Sequence, residues 1–192
     1  MRKASEVGVW VVILGACFIM TGCATGKVKF GDTVSQASLD KYKTVAIQVV
    51  NDAGPKCPAE VPGNLQAAAI KQLQAKYPDA FQSGRPSPKG TEDELLVEVH
   101  IVKYKKGSRF ARAMLIGLRA SSISTNVNFL DSPTKKLLTS GKLELTWALG
   151  GIAGASRGIE DLVNDSGAKV ATAIVEQKQG KAAKQSKPQK GA

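Results

Sequence analysis

The stretch ELLVEVHIVKYK, Glu94 to Lys105, decides most of the fold. In an extended chain Leu95, Val97, Val99 and Ile101 fall on one side, and Leu96, Glu98, His100, Val102 and Tyr104 on the other. That period-two pattern, rich in β-branched residues, predicts a long strand with one apolar and one mixed face. Downstream, Ile123, Thr125, Val127 and Phe129 alternate with Ser124, Asn126 and Asn128, a half-buried strand with a polar outer face. Asp131-Ser132-Pro133-Thr134 supplies turn chemistry. Leu143, Leu145 and Trp147 then alternate with Lys142, Glu144 and Thr146, completing a hairpin. Upstream, KTVAIQVV (Lys43 to Val50) is a shorter, largely buried strand.

Helices fill the intervals. Asn51 to Gly63 is rich in proline and glycine and reads as a loop. Asn64 suits an N-cap, after which Leu65, Ala69, Leu73 and Tyr77 repeat at i+4 until Pro78 stops the helix. Gln82 to Gly90 is turn-rich, and Gly150, Gly151, Gly154 and Gly158 mark a flexible loop. Ile159 to Glu176 carries Leu162, Val163, Val170, Ala171, Ile174 and Val175 at helical spacing, despite an internal Gly167. The order strand, helix, strand, strand, strand, helix predicts an α+β domain over 43–176. Its expected form is a mainly antiparallel four- to five-stranded sheet with two helices packed on one face.

The chain has 192 residues and a net charge of +11. That length suits one domain with appendages. Such a charge invites a nucleic-acid reading, but the N-terminus argues otherwise. Arg2 and Lys3 precede an almost purely apolar run from Val7 to Met20. As a helix that run reaches only ~21 Å, short of a ~30 Å hydrocarbon core, so it reads as a signal-peptide h-region. It ends in Met20-Thr21-Gly22-Cys23, which resembles the lipobox of bacterial lipoproteins, with Met20 where leucine is usual. The resemblance implies cleavage between Gly22 and Cys23 and lipidation of Cys23, whose thiolate is the nucleophile toward a diacylglyceryl group. Ala24, in place of the aspartate that favours inner-membrane retention, implies an outer-membrane, periplasm-facing address. Residues 1–22 are thus a signal peptide. Export removes nucleic acid as a partner, and the membrane, through Cys23, becomes the first one expected.

Residues 23–42 read as a flexible tether that reaches at most ~60 Å when extended; an edge strand at Val28-Lys29-Phe30 is the alternative. Residues 177–192, with Lys178, Lys181, Lys184, Lys187 and Lys190, read as a disordered tail. With this order in hand, the chain resembles an uncharacterised family of bacterial lipoproteins built on a domain of unknown function. The likeness rests on Tyr42-Lys43-Thr44-Val45-Ala46, on the Arg- and Gly-bearing stretch Arg109 to Gly117 before a strand ending in Leu130-Asp131, and on the closing helix after a glycine-rich loop. It implies no catalytic residues.

The chemistry is sparse. No GxxxxGK[ST] phosphate loop or HExxH pair is present in the sequence. His100 is the one imidazole; it shares a strand face with Glu98, with no nucleophile placed beside them. No metal site, cofactor or enzymatic activity is expected. Cys57 lacks an intramolecular partner in the mature chain, which leaves a tolerated loop thiol and an intermolecular disulfide both open. Lys103, Lys105, Lys106, Arg109, Arg112 and Arg119 form a basic region without an acid, a candidate contact for an anionic membrane surface or partner. The expected function is a lipid-anchored scaffold or binding module of the cell envelope. The alternative is a periplasmic binder of an anionic ligand or polymer through residues 103–119.

Overall fold

A computed structural model describes residues 28–30, 37–107, 121–147 and 158–180. The elements in chain order are β1 (Val28–Phe30), a single helical turn α1 (Ala37–Asp40), β2 (Thr44–Asn51), α2 (Glu60–Lys76), β3 (Ser83–Arg85), β4 (Glu94–Lys105), β5 (Ser121–Asp131), β6 (Leu137–Trp147) and α3 (Ile159–Lys178). The strands form one six-stranded sheet in the order β1-β6-β5-β4-β2-β3. α2 packs on β2 and β3, α3 packs on β5 and β6, and the two helices pack on each other. The core lies between the helices and the sheet, with Val45, Ile47, Leu65, Val97, Val99, Phe129, Leu143, Leu162 and Ile174 all buried.

The α+β class with two helices holds, but the sheet is mixed and six-stranded rather than mainly antiparallel and four- to five-stranded. β4, β5, β6 and β1 pair antiparallel, whereas β2 runs parallel to both β3 and β4. The reason is α2, which carries the chain back across the sheet, so that each later strand beside β2 must start from the same end. The two extra strands are short. β3 spans Ser83–Arg85 in the segment read as turn-rich. β1 is the Val28–Phe30 edge strand, paired with Leu143, Lys142 and Gly141 of β6.

Glycine permits β1 to lie where it does. A Cβ on Gly141 would stand 2.8 Å from both Phe30 Cδ1 and Val28 Cγ1. The bare backbone lets Phe30 reach Phe129, with ring centroids 5.6 Å apart in an edge-to-face contact. Gly167, which looked out of place in a helix, has the same purpose at the α2–α3 crossing. Its missing Cβ would lie 2.7 Å from Ala68 Cβ and from the Leu65 carbonyl oxygen.

Three local readings shift. α2 starts at Glu60, not at Asn64, so Pro62 and Gly63 sit in its first turn. There the backbone N–H groups have no intrahelical acceptor, so proline costs nothing, and Val61 extends the buried stripe of Leu65, Ala69 and Leu73. In β4 the register slips between Ile101 and Lys103. That bulge exposes Val102 and Lys103 together and turns Tyr104 to the core, although strict alternation put it on the outer face. α3 runs to Lys178, two residues beyond the boundary set for the tail. Lys178 Nζ donates to the carbonyls of Tyr42 (2.6 Å) and Ala80 (2.7 Å) and lies 4.2 Å from the Phe81 ring centroid, so a half-buried cation ends the helix. No described helix is long and apolar enough to cross a membrane.

Candidate functional site

The helices cover one face of the sheet, and strand alternation decides what the other shows. Register aligns Gln48, Glu98, Asn128 and Ser140 in one row across β2, β4, β5 and β6. The next row is Val50, His100, Asn126, Lys142 and Lys29. Beyond it stand Lys103, Ser124 and Glu144, then Lys105, Ser122 and Thr146. A shallow depression of about 470 Å³ overlies the middle rows, bordered by Lys29, Asp52, His100, Asn126, Ser140 and Lys142.

Charge on this face is mixed and largely paired. On the β2 side, Asp52 Oδ2 lies 2.8 Å from His100 Nδ1 and Glu98 Oε2 lies 3.7 Å from Nε2, so two carboxylates hold the imidazole. On the β1 side, Lys142 Nζ lies 3.0 Å from Glu144 Oε1. The hydrogen bond from Lys142, aided by the charges of Lys142, Lys103 and Lys29, keeps the Glu144 carboxyl below the usual carboxylate range. Amide and hydroxyl groups of Asn126, Asn128 and Ser140 lie between the two sides. Such a surface offers donors and acceptors of both signs to a polar partner. Among the described residues, both groups that reach the imidazole are acids, and they orient His100.

The opposite end of the sheet holds two buried carboxylates in a different role. Asp131 Oδ1 accepts from Tyr42 Oη (2.7 Å) and Lys41 Nζ (3.1 Å), and Oδ2 accepts from Thr134 Oγ1 (2.6 Å). The bonds from Thr134, Tyr42 and Lys41 outweigh burial and push the Asp131 carboxyl far below its ordinary range. Burial and the same bond to Asp131 raise the Tyr42 phenol to about 12. Two of the motifs behind the family likeness, Tyr42-Lys43-Thr44 and Leu130-Asp131, therefore meet in one bond that ties the entry of β2 to the end of β5. Glu94 Oε2 accepts from Lys89 N (2.7 Å), Gly90 N (2.9 Å) and Ser132 Oγ (2.8 Å), with Arg85 Nε 3.6 Å from Oε1. Burial alone would raise its pKa, but these bonds and the Arg85 charge bring it below the usual value. Both acids are spent on holding turns.

Of the residues singled out in the sequence, Lys103, Lys105 and Lys106 are exposed at the end of β4. Gly22, Cys23, Arg109, Arg112 and Arg119 lie outside the described residues. Cys57 is only 4% exposed, with Sγ against the Pro58 carbonyl, and burial pushes its thiol pKa up. Among the described residues no three His, Cys, Asp or Glu side chains gather as metal ligands. Asp52 and Lys29 escaped the sequence reading. Asp52 reaches His100 because β2 runs parallel to β4 and ends beside it, and Lys29 joins the face because β1 is a strand. The alternation of Lys142 and Glu144 was the legible signal for the basic side.

The fold has solved counterparts. PelC, a dodecamer from Paraburkholderia phytofirmans, aligns over 78% of this chain and 97% of its own at 12% identity, with a TM-score of 0.51. Protein XCC0632 from Xanthomonas campestris, assigned to family DUF330, aligns over 74% and 88% at 9% identity, also with a TM-score of 0.51. Lipoprotein GNA1162 from Neisseria meningitidis aligns over 72% and 99% at 12% identity, with a TM-score of 0.40. For PelC and XCC0632 the likeness at these identities is one of fold. Among curated protein sequences none matches. The model of one family, the domain of unknown function DUF4410, matches residues 53–183, and the chain belongs to that family.

Proposed function

We propose that this chain is a lipid-anchored cell-envelope protein, held at the outer membrane through acylated Cys23 and facing the periplasm. Its domain works without catalysis, as a scaffold or binding module, through the open face of the sheet. The observation that carries this reading is the open, mixed-charge face itself. Helices shield one side of the sheet, while the other sets Asp52 and His100 across an amide-lined depression from Lys29 and Lys142, with Glu98 and Lys103 nearby on β4. Surfaces of this kind give specificity and register through complementary charge.

A photoreactive residue placed at Asn126 in the native lipoprotein, compared with one at Lys71 on α2, tests this. Discrete adducts at 126 that vanish in the Lys29→Glu/Lys142→Glu variant support the open face; adducts at 71 alone refute it. The second reading, an anionic ligand or polymer bound through residues 103–119, is favoured by the place of Lys103 and Lys105 in the rows beside Lys142. Salt-sensitive retention on an anionic polymer, lost on Lys103→Gln/Lys105→Gln, would favour it over a protein partner.

A further inference from the structure

With Val28–Phe30 in the sheet, the edge-strand alternative leaves few residues between Cys23 and the first strand. Val28 is fixed in the sheet by its pairing with Leu143, and the bare backbone of Gly141 receives Phe30 beside it. Four residues, 24–27, separate Cys23 from Val28. Whatever path they take, they reach at most ~18 Å. A lipidated Cys23 would therefore hold the β1–β6 edge of the sheet close to the bilayer.

Register also says which end of the sheet is held. β1 is antiparallel to β6, with Val28 opposite Leu143 and Phe30 opposite Gly141, so the chain before Val28 comes from the side of Glu144 to Trp147. Ser122 and Ser124 pair with Thr146 and Glu144 on one side and with Lys105 and Lys103 on the other. The end of the sheet nearest the anchor is thus the end that carries Lys103 and Lys105, with Lys29 on the edge strand itself. All three are exposed; of the exposed acids on this side of the sheet, Glu144 is engaged by Lys142 and Asp52 by His100.

We propose that this corner of the domain, Lys29, Lys103 and Lys105, rests on the anionic headgroups of the bilayer that holds Cys23, fixing the sheet's orientation to the membrane. The inference rests on the lipid-anchor reading. Anionic headgroups attract lysines only within about a Debye length of ~8–10 Å, a distance that the short leash brings within reach.

The test uses the full-length lipoprotein reconstituted into phosphatidylethanolamine vesicles that contain a minority of phosphatidylglycerol. A fluorophore is attached at Thr146→Cys, at the anchored end, or at Lys136→Cys, in the far turn, and quenched by headgroup-nitroxide lipids. Strong quenching at 146 with little at 136 is expected. Each Lys→Gln change at 29, 103 or 105 should lower the docked-to-undocked ratio about 5-fold. Equal quenching at both positions, or a contrast unmoved in the triple variant, overturns the docking while the anchor stands. A chain that fails to float with the vesicles and takes up no palmitate overturns the anchor and this proposal together; the circular dichroism of each variant checks that it is folded.

Discussion

Replacing Gly167 by alanine tests the packing that supports the whole arrangement. The added Cβ would stand 2.7 Å from Ala68 Cβ and the Leu65 carbonyl oxygen, and 2.9 Å from Ala69 N. Carbon atoms in contact prefer ~3.5–4.0 Å, and two of the three neighbours are backbone, so α2 and α3 must part by about 1 Å. Overpacking costs ~1–3 kcal/mol, and backbone neighbours that cannot rotate away put this site in the upper part of that range, ~2–3 kcal/mol, while alanine returns at most ~1 kcal/mol of helix propensity. The net loss is about 1–2 kcal/mol, or a Tm lower by ~2–8 °C for a domain of this size. Gly63, in the first turn of α2, is the matched control: nothing lies within 4 Å of its missing Cβ. Gly63→Ala should leave stability unchanged or raise it by up to ~1 kcal/mol. Urea and thermal unfolding followed by far-UV circular dichroism read both. A Gly167→Ala protein as stable as the parent would refute the close helix crossing.

Other outcomes follow from the buried polar groups. Asp131 and Glu94 have folded pKa values below those of unfolded carboxylates near ~4. The unfolded chain therefore takes up protons first, and stability is full above about pH 5 and falls as pH descends through 4. Asp131→Asn should flatten part of that slope in acid titrations followed by tryptophan fluorescence; an unchanged slope would contradict the Tyr42–Asp131 tie. Lys178→Met leaves the Tyr42 and Ala80 carbonyls without their donor and should cost ~1–3 kcal/mol in urea unfolding; no loss would show that the carbonyls find another partner. Cys57 should resist thiol reagents in the native protein and react on denaturation, and non-reducing electrophoresis should give a monomer. A dimeric band that collapses on reduction would show that the thiol reaches a second chain.

The central hairpin was legible because its alternation is local. Asn126, Asn128, Lys142 and Glu144 fall on the outer face as period two requires, and that reading already contained most of the open surface. What escaped depends on distant parts of the chain. The parallel pairing of β2 with β4 is fixed by the α2 crossover, and only that pairing brings Asp52 to His100. Val28–Phe30, short and polar in its flanks, could be read only as an alternative to a tether; what decides for the strand is the gap above Gly141, far along the sequence. Gly167 reads as a defect until its neighbour on α2 is known. The bulge that turns Tyr104 inward leaves no local mark, since Val102 and Lys103 fit either alternation. Lys178 looked like the first lysine of the tail because its acceptors, the carbonyls of Tyr42 and Ala80, belong to turns near the other end of the chain.

Carboxyl footprinting tests the central claim most directly. The native lipoprotein is treated with carbodiimide and an amine in isolated envelopes and, separately, after purification, and labelling is read by mass spectrometry. The open-face acids Asp52, Glu98 and Glu144 should lose reactivity in the envelope relative to the purified protein. Glu60 and Asp79, exposed on the helix side, should keep theirs. Protection of Glu60 and Asp79 with the open-face acids unchanged would contradict the account and assign the contact surface to the helices.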